Sequence, residues 1–191
     1  MADSFPAHWG MKFTPTIHQK AEGPTDPANV TLPPNFTVCV TGAGKGLGYH
    51  IALAYARAGA KNICISSRTR ADLDKLAAEI AELGESGKGK GEGKGEGEVE
   101  VLVQTCDTMK DEEVKTLAGM VWERWGRCDV VVANAGVISK YVSREDGREY
   151  LPVGVVEDGD LERVVETNLM GTWRWVSSLL TSSWYIMHPG R

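Results

Sequence analysis

The sequence predicts an α/β protein: a parallel sheet of about four strands, doubly wound, with helices on both faces. Three observations predict it. Short apolar, β-branched runs alternate with amphipathic stretches along residues 36–180, the order that builds strand–helix units rather than hairpins. A glycine-rich turn, Gly42–Gly48, joins the first such run directly to the first helical stretch. Consecutive parallel strands are linked almost without exception by right-handed crossovers, which distribute the helices over both faces.

Each element has a local reason. Phe36–Thr41 is apolar and bounded by turn residues, so it reads as a buried strand. Leu47–Ala58 follows as a helix that Gly59 can end in the left-handed conformation. Asn62–Ser66 is the second strand. Thr69 can cap the next helix, where Leu73, Leu76, Ala77, Ile80 and Leu83 recur on one face. Val99–Thr105 is the third strand. Asp111 can cap a helix that turns Val114, Leu117, Ala118, Val121, Trp122 and Trp125 inward. Val130–Ala133 is the fourth strand. After a loop, Asp160 starts a last helix with Leu161, Val164, Val165, Leu169, Trp173 and Val176 on one side.

Two stretches fall outside this pattern. Six of the eight prolines lie in residues 1–34, so residues 1–35 read as an irregular arm that precedes the domain. Residues 84–98 alternate glycine with Lys and Glu. That composition buries nothing and maximises backbone freedom, so a disordered insertion is expected, and deleting Glu85–Gly97 should leave the melting temperature nearly unchanged.

Composition limits the function. With 191 residues there is room for one domain, and 42% hydrophobic content is globular. A net charge of -5 argues against nucleic acid and anionic membranes as partners. No apolar run is long enough to span a membrane. The N-terminus lacks the basic-then-apolar pattern of a signal peptide, so a cytoplasmic location is expected. Cys39, Cys64, Cys106 and Cys128 form no C-x-x-C pair, and His8, His18, His50 and His188 are scattered. No metal site is expected.

The chemistry begins at the glycine-rich turn. A strand that runs into such a turn and then a helix presents backbone N–H groups and the positive end of the helix dipole to a phosphate. Gly44-Lys45 is followed by Gly46, which fails the P-loop pattern, and Leu47 stands where G-x-G-x-x-G needs its third glycine. The pattern that remains is T-G-x-x-x-G-x-G, at Thr41, Gly42, Gly46 and Gly48.

With these residues the chain resembles the short-chain dehydrogenase/reductase family, whose sheet is Rossmann-like. Asp129-Val-Val-Val-Ala-Asn-Ala-Gly136 is similar to the family's N-N-A-G segment after the fourth strand, with Ala133 in place of the first asparagine. The resemblance covers about residues 36–180. It implies a nicotinamide dinucleotide held by Thr41, Gly42, Gly44, Lys45, Gly46, Leu47 and Gly48. Asp107 would lie at the adenine, and Thr108, Asn134, Ala135 and Gly136 would complete the site. Asn168 matches the asparagine of the family's active-site tetrad.

The end of the second strand, Ser66-Ser67-Arg68, has no acidic residue to accept ribose hydroxyls, and Asp72 lies a turn into the next helix. Arg68 and Lys45 are placed to pair with a 2′-phosphate, so NADP(H) is expected in preference to NAD(H). The implied activity is oxidoreduction of an alcohol or carbonyl.

The family's catalytic serine and Tyr-x-x-x-Lys pair find no match. Four residues after Tyr49, Tyr55, Tyr141, Tyr150 and Tyr185 stand Leu53, Gly59, Glu145, Gly154 and Pro189. From Thr181 to Arg191 the resemblance ends. The expectation is therefore a truncated, incomplete sheet with a short unrelated tail at 181–191, inactive by itself. The fourth strand's outer edge would be uncovered. Helix 160–180, which packs between subunits in many relatives, would expose Trp173. A nucleotide-binding or subunit-pairing module is the alternative role.

Overall fold

The computed structural model describes residues 20–86, 99–139, 142–143, 149–150 and 159–187. Four parallel strands form one sheet in the order β3-β2-β1-β4: β1 is Thr37–Thr41, β2 Asn62–Ser67, β3 Glu100–Thr105 and β4 Val130–Val132. Helices α1 (Gly46–Arg57), α2 (Arg70–Ser86) and α3 (Asp111–Trp125) follow the first three strands. The doubly wound α/β architecture expected from the sequence is the one observed.

Alternation along the strands explains why both faces are covered. Val38 and Val40 of β1 and Ile63 and Ile65 of β2 face one way, against Ala52, Leu53 and Ala56 of α1 and Leu73, Leu76 and Ile80 of α2. The intervening Cys39 and Cys64, paired in register, face the other way with Leu102. That face is covered by Val114, Leu117, Ala118 and Val121 of α3 and by Trp175 and Leu179 from the C-terminal helix. Successive side chains of a strand point to opposite faces, so an unbroken apolar run fills two cores. All four cysteines are free thiols, and Cys39 Sγ lies 3.5 Å from Cys128 Sγ.

The helix ends follow local chemistry. Gly59, at φ +87°, closes α1: its N–H donates to the Ala56 carbonyl, and the Ala60 N–H donates to the Tyr55 carbonyl. This is the paired capping geometry that glycine permits. At α3 the cap is Lys110, not Asp111, and Lys110 makes no side-chain cap bond. Glu113 in the first turn accepts the Asp107 N–H at 2.8 Å, which ties the preceding loop to the helix rather than capping it.

Several boundaries shift. Helix α2 continues through Ser86, so residues 84–86 are helical and only 87–98 of the expected insertion lie outside the described residues. Of the N-terminal arm, residues 20–35 are described and hold two single 3₁₀ turns, Gly23–Thr25 and Pro27–Asn29. Between β4 and the last helix, where the sequence suggests only a loop, β5 (Val142–Ser143) pairs antiparallel with β6 (Glu149–Tyr150).

The last helix is three segments: α4 (Asp160–Val165), a π-helical turn at Glu166–Met170, and α5 (Gly171–Met187). It therefore runs past Leu180 into the residues expected to form a tail. Its apolar side does not face the core. Leu161, Leu169 and Trp173 are 68%, 63% and 64% exposed. Gly171, Trp175, Ser178 and Leu179 are buried instead.

Candidate functional site

The C-terminal ends of the four strands open onto a cleft of about 280 Å³. Ligands gather at such strand ends where the strand order reverses, here between β1 and β4, which are parallel neighbours. Four loops line the cleft.

The first loop is the glycine turn. Gly42 sits at φ +64°, and a Cβ there would come 2.8 Å from Ala135 Cα. At Gly48 a Cβ would be 2.4 Å from Asn134 Nδ2 and 2.6 Å from the Gly42 carbonyl. At Gly44 it would meet Ser67 Oγ at 2.7 Å. Three of the glycines thus let α1 and its turn press against neighbouring backbone and side chains. Gly46 differs: φ is +61°, and no atom lies within 4 Å of its Cβ position. Helix α1 starts here without a side-chain cap from Lys45, which leaves its first N–H groups for another acceptor.

Asn134 binds the first loop to the loop after β4. Its Nδ2 donates to the Thr41 carbonyl at 3.0 Å and to the Gly42 carbonyl at 3.3 Å. Thr41 Oγ1 accepts the Ala135 N–H at 3.0 Å. Asn168, in the π-helical turn, makes a two-way bond with Val137. Its Oδ1 accepts the Val137 N–H, and its Nδ2 donates to the Val137 carbonyl, both at 2.8 Å. A Cβ on Gly136 would approach Asn168 Oδ1 to 3.2 Å.

The loops after β2 and β3 form the other wall. The Ala43 N–H donates to the Ser66 carbonyl at 2.9 Å, and the Cys106 N–H to the Ser67 carbonyl at 3.0 Å. Asp107 Oδ1 accepts the Met109 N–H at 3.0 Å. Lys45 and Arg68 are exposed at the cleft and have no ion-pair partner among the described residues. Burial pushes the Cys106 thiol up to about 12, helped by the Glu113 and Asp107 carboxylates. It remains a neutral thiol at physiological pH.

Of the residues singled out in the sequence, Gly42, Gly44, Lys45, Arg68, Asp107, Thr108, Asn134, Ala135 and Gly136 line this cleft. Thr41 and Gly48 are buried behind it. Leu47 is 71% exposed, and neither it nor Gly46 is among the lining residues. Asn168 borders a second, more open cavity of about 640 Å³ with Val137, Ile138 and Arg163. The cleft also takes in Ser67, Thr69, Asp72, Cys106, Val137 and Thr167, which the sequence reading left out. Ser67, Thr69 and Cys106 adjoin expected residues and were within its reach. Among the described residues no group of three or more His, Cys, Asp or Glu could hold a metal ion, and no helix could cross a membrane.

The family model described as short chain dehydrogenase matches residues 36–186. The chain belongs to the short-chain dehydrogenase family. Short chain dehydrogenase pgmD of Aspergillus terreus is 46% identical over 132 residues, covering 69% of this chain and 40% of the relative. Short chain dehydrogenase pigC of Monascus ruber is 32% identical over 142 residues, 73% of this chain and 44% of the relative. The chain thus spans less than half the length of these two relatives. Among solved structures, an alcohol dehydrogenase from the archaeon Thermococcus sibiricus complexed with 5-hydroxy-NADP superposes with a TM-score of 0.60 at 31% identity. That match covers 77% of this chain and 52% of the other. Actinorhodin polyketide ketoreductase with NADPH gives 0.61 at 27%, covering 80% and 49%. The family model match extends to 186, beyond the Leu180 limit that the motifs suggest.

Proposed function

We propose that this chain holds NADP(H) in the cleft at the strand ends, as the nucleotide-binding part of an oxidoreductase acting on an alcohol or carbonyl. The observation that carries this reading is the pair of cations, Lys45 and Arg68, without an ion-pair partner among the described residues, at a cleft that Gly42, Gly44 and Gly136 also line. The residues fit the group. Gly42, Gly44 and Gly48 have no room for side chains, so the turn packs closely, while open space beside Gly46 leaves the helix N-terminus accessible. Thr41, Gly42, Gly44, Lys45, Gly46, Leu47 and Gly48 would surround the phosphates. Arg68 and Lys45 would take the 2′-phosphate, Asp107 and Thr108 the adenine, and Asn134, Ala135 and Gly136 the central part. When bound, the nicotinamide supplies or accepts hydride. Relatives solved with NADPH and with 5-hydroxy-NADP support the cofactor reading.

Of the catalytic residues the resemblance implies, this sequence carries Asn168 without a Tyr-x-x-x-Lys pair. By itself the 191-residue chain should bind nucleotide without turnover. A pairing role is the second reading, favoured by the exposed apolar row along α4 and α5. Titration with NADPH and NADH, followed by nucleotide fluorescence, tests the first. Tighter NADPH binding is expected. Each charge-assisted contact contributes about 1.5–3 kcal/mol, so Arg68→Gln should weaken NADPH roughly tenfold or more and leave NADH nearly unchanged. Equal affinity for both nucleotides would overturn the preference.

A further inference from the structure

We propose that Arg174, which stands outside the cleft, is a positioning residue for the adenine end of the nucleotide. The inference rests on the reading that the cleft takes an adenine dinucleotide, though not on the preference for a 2′-phosphate.

The cleft wall after β3 is a tight turn. Asp107 contributes its carbonyl to the Lys110 N–H at 2.9 Å and its carboxylate to the Met109 N–H at 3.0 Å. From α3, Glu113 accepts the Asp107 N–H at 2.8 Å, which anchors one side of the turn. The Thr108 carbonyl points the other way, toward α5, and there Arg174 Nη1 donates to it at 3.4 Å. The other arm of the same guanidinium pairs with the Glu166 carboxylate in the π-helical turn. The Arg174 side chain is 18% exposed and that of Glu166 36%, so the guanidinium is largely withdrawn from water while the carboxylate is only partly so.

Two neighbours make the contact close. Gly171 has no side chain, and a Cβ there would meet Thr108 Cβ and Oγ1 at 3.0 Å. Helix α5 therefore lies directly under Thr108, which is buried and lines the cleft. Thr167, one residue from Glu166, is likewise buried and lines the cleft. Arg174 thus joins two lining elements that are far apart in sequence. A planar guanidinium can serve a carboxylate and a carbonyl at once, whereas an ammonium is a point charge that can keep only one of them in the same geometry.

This makes the conservative substitution informative. Arg174→Lys keeps the charge opposite Glu166 but gives up the hold on Thr108. The full chain and this variant are compared in three measurements: thermal melting, calorimetric titration with ADP-ribose, and amide hydrogen exchange. ADP-ribose carries the adenine and pyrophosphate without nicotinamide or a 2′-phosphate. The expected result is an unchanged melting temperature, about tenfold weaker ADP-ribose binding, and faster exchange at Met109 and Lys110. Arg174→Met, which loses both contacts, should bind at least as weakly.

If Arg174→Lys binds ADP-ribose as tightly as the parent, Arg174 has no positioning role. If affinity falls only in step with melting temperature, its role is support of the fold, and the inference fails as well. Failure of the parent chain to bind ADP-ribose at all would overturn the dinucleotide reading and this inference together, an outcome the first two do not share.

Discussion

Asp129 carries more of the structure than its place at the mouth of a short strand suggests. Its carboxylate accepts the Thr37 N–H at 2.8 Å and pairs with the Arg127 guanidinium, which also donates to the Pro34 carbonyl. One side chain thereby joins the starts of β1 and β4. Arg127 beside it, and then the Thr37 N–H, hold the carboxyl below the usual carboxylate range against the opposing effect of burial. A carboxylate whose pKa is depressed by folding stabilises the fold above its unfolded value of about 3.9. That contribution is lost as pH falls through the depressed folded value. Asp129→Ala should cost about 1–2 kcal/mol at pH 7, given partial exposure of the pair. Urea melts of parent and variant at pH 7 and at pH 2.5 should show the gap closing in acid. A gap that stays constant would place the effect in packing rather than charge.

Among the elements, the glycine turn was the most legible in the sequence, because each glycine answers to a local constraint. The two kinds of constraint separate experimentally. Gly48→Ala pushes a methyl into Asn134 and the Gly42 carbonyl, both held by other bonds. It should destabilise the chain by several kcal/mol, of the order of other overpacked sites. Gly46→Ala meets no atom and pays only for its left-handed backbone, about 1–2 kcal/mol. Chemical denaturation of the two variants should reproduce that order; a reversal would mean the turn is not packed as described. The strands were equally legible, since apolar β-branched runs between turn residues leave little alternative.

What the sequence concealed was set by contacts between distant elements. Thr167 and Val137 adjoin Asn168 and Gly136, which the motifs single out, but only the strand order and the π-helical turn bring the two to one cleft. The last helix misled in another way. Its apolar residues recur at helical spacing and so suggest a buried face. The buried face instead uses Gly171, Trp175, Ser178 and Leu179: Gly171 lets the helix approach Thr108 closely, Trp175 and Leu179 pack with α3, and Trp122 Nε1 donates to the Leu179 carbonyl at 3.1 Å. Periodicity identifies an apolar side without saying which neighbour covers it.

For the whole molecule, that uncovered side bears on association. Leu161, Val165, Leu169, Trp173, Val176 and Leu180 form one exposed row along α4 and α5. An apolar row of this kind on a folded surface marks an interaction site or an aggregation liability. Trp173→Glu should shift the chain toward the monomer in sedimentation velocity without weakening NADPH binding, since Trp173 does not line the cleft. An unaltered distribution would remove the row from the interface. The βαβ plan itself followed from the sequence because each crossover has one favoured hand.

The sheet also contains its own gauge of integrity. Cys39 and Cys64 lie side by side on the two central strands and have essentially no contact with solvent, while Cys128 beside them is only half buried. A thiol-reactive dye should reach Cys128 by local breathing at the sheet edge, but Cys39 and Cys64 only when the centre of the sheet separates. Labelling read residue by residue sets apart Cys106, which lies at the cleft. The spread between Cys128 labelling and that of Cys39 and Cys64 then reports the free energy of opening with no introduced probe. Ligand added to the cleft should slow Cys39 and Cys64 while leaving Cys128 unchanged.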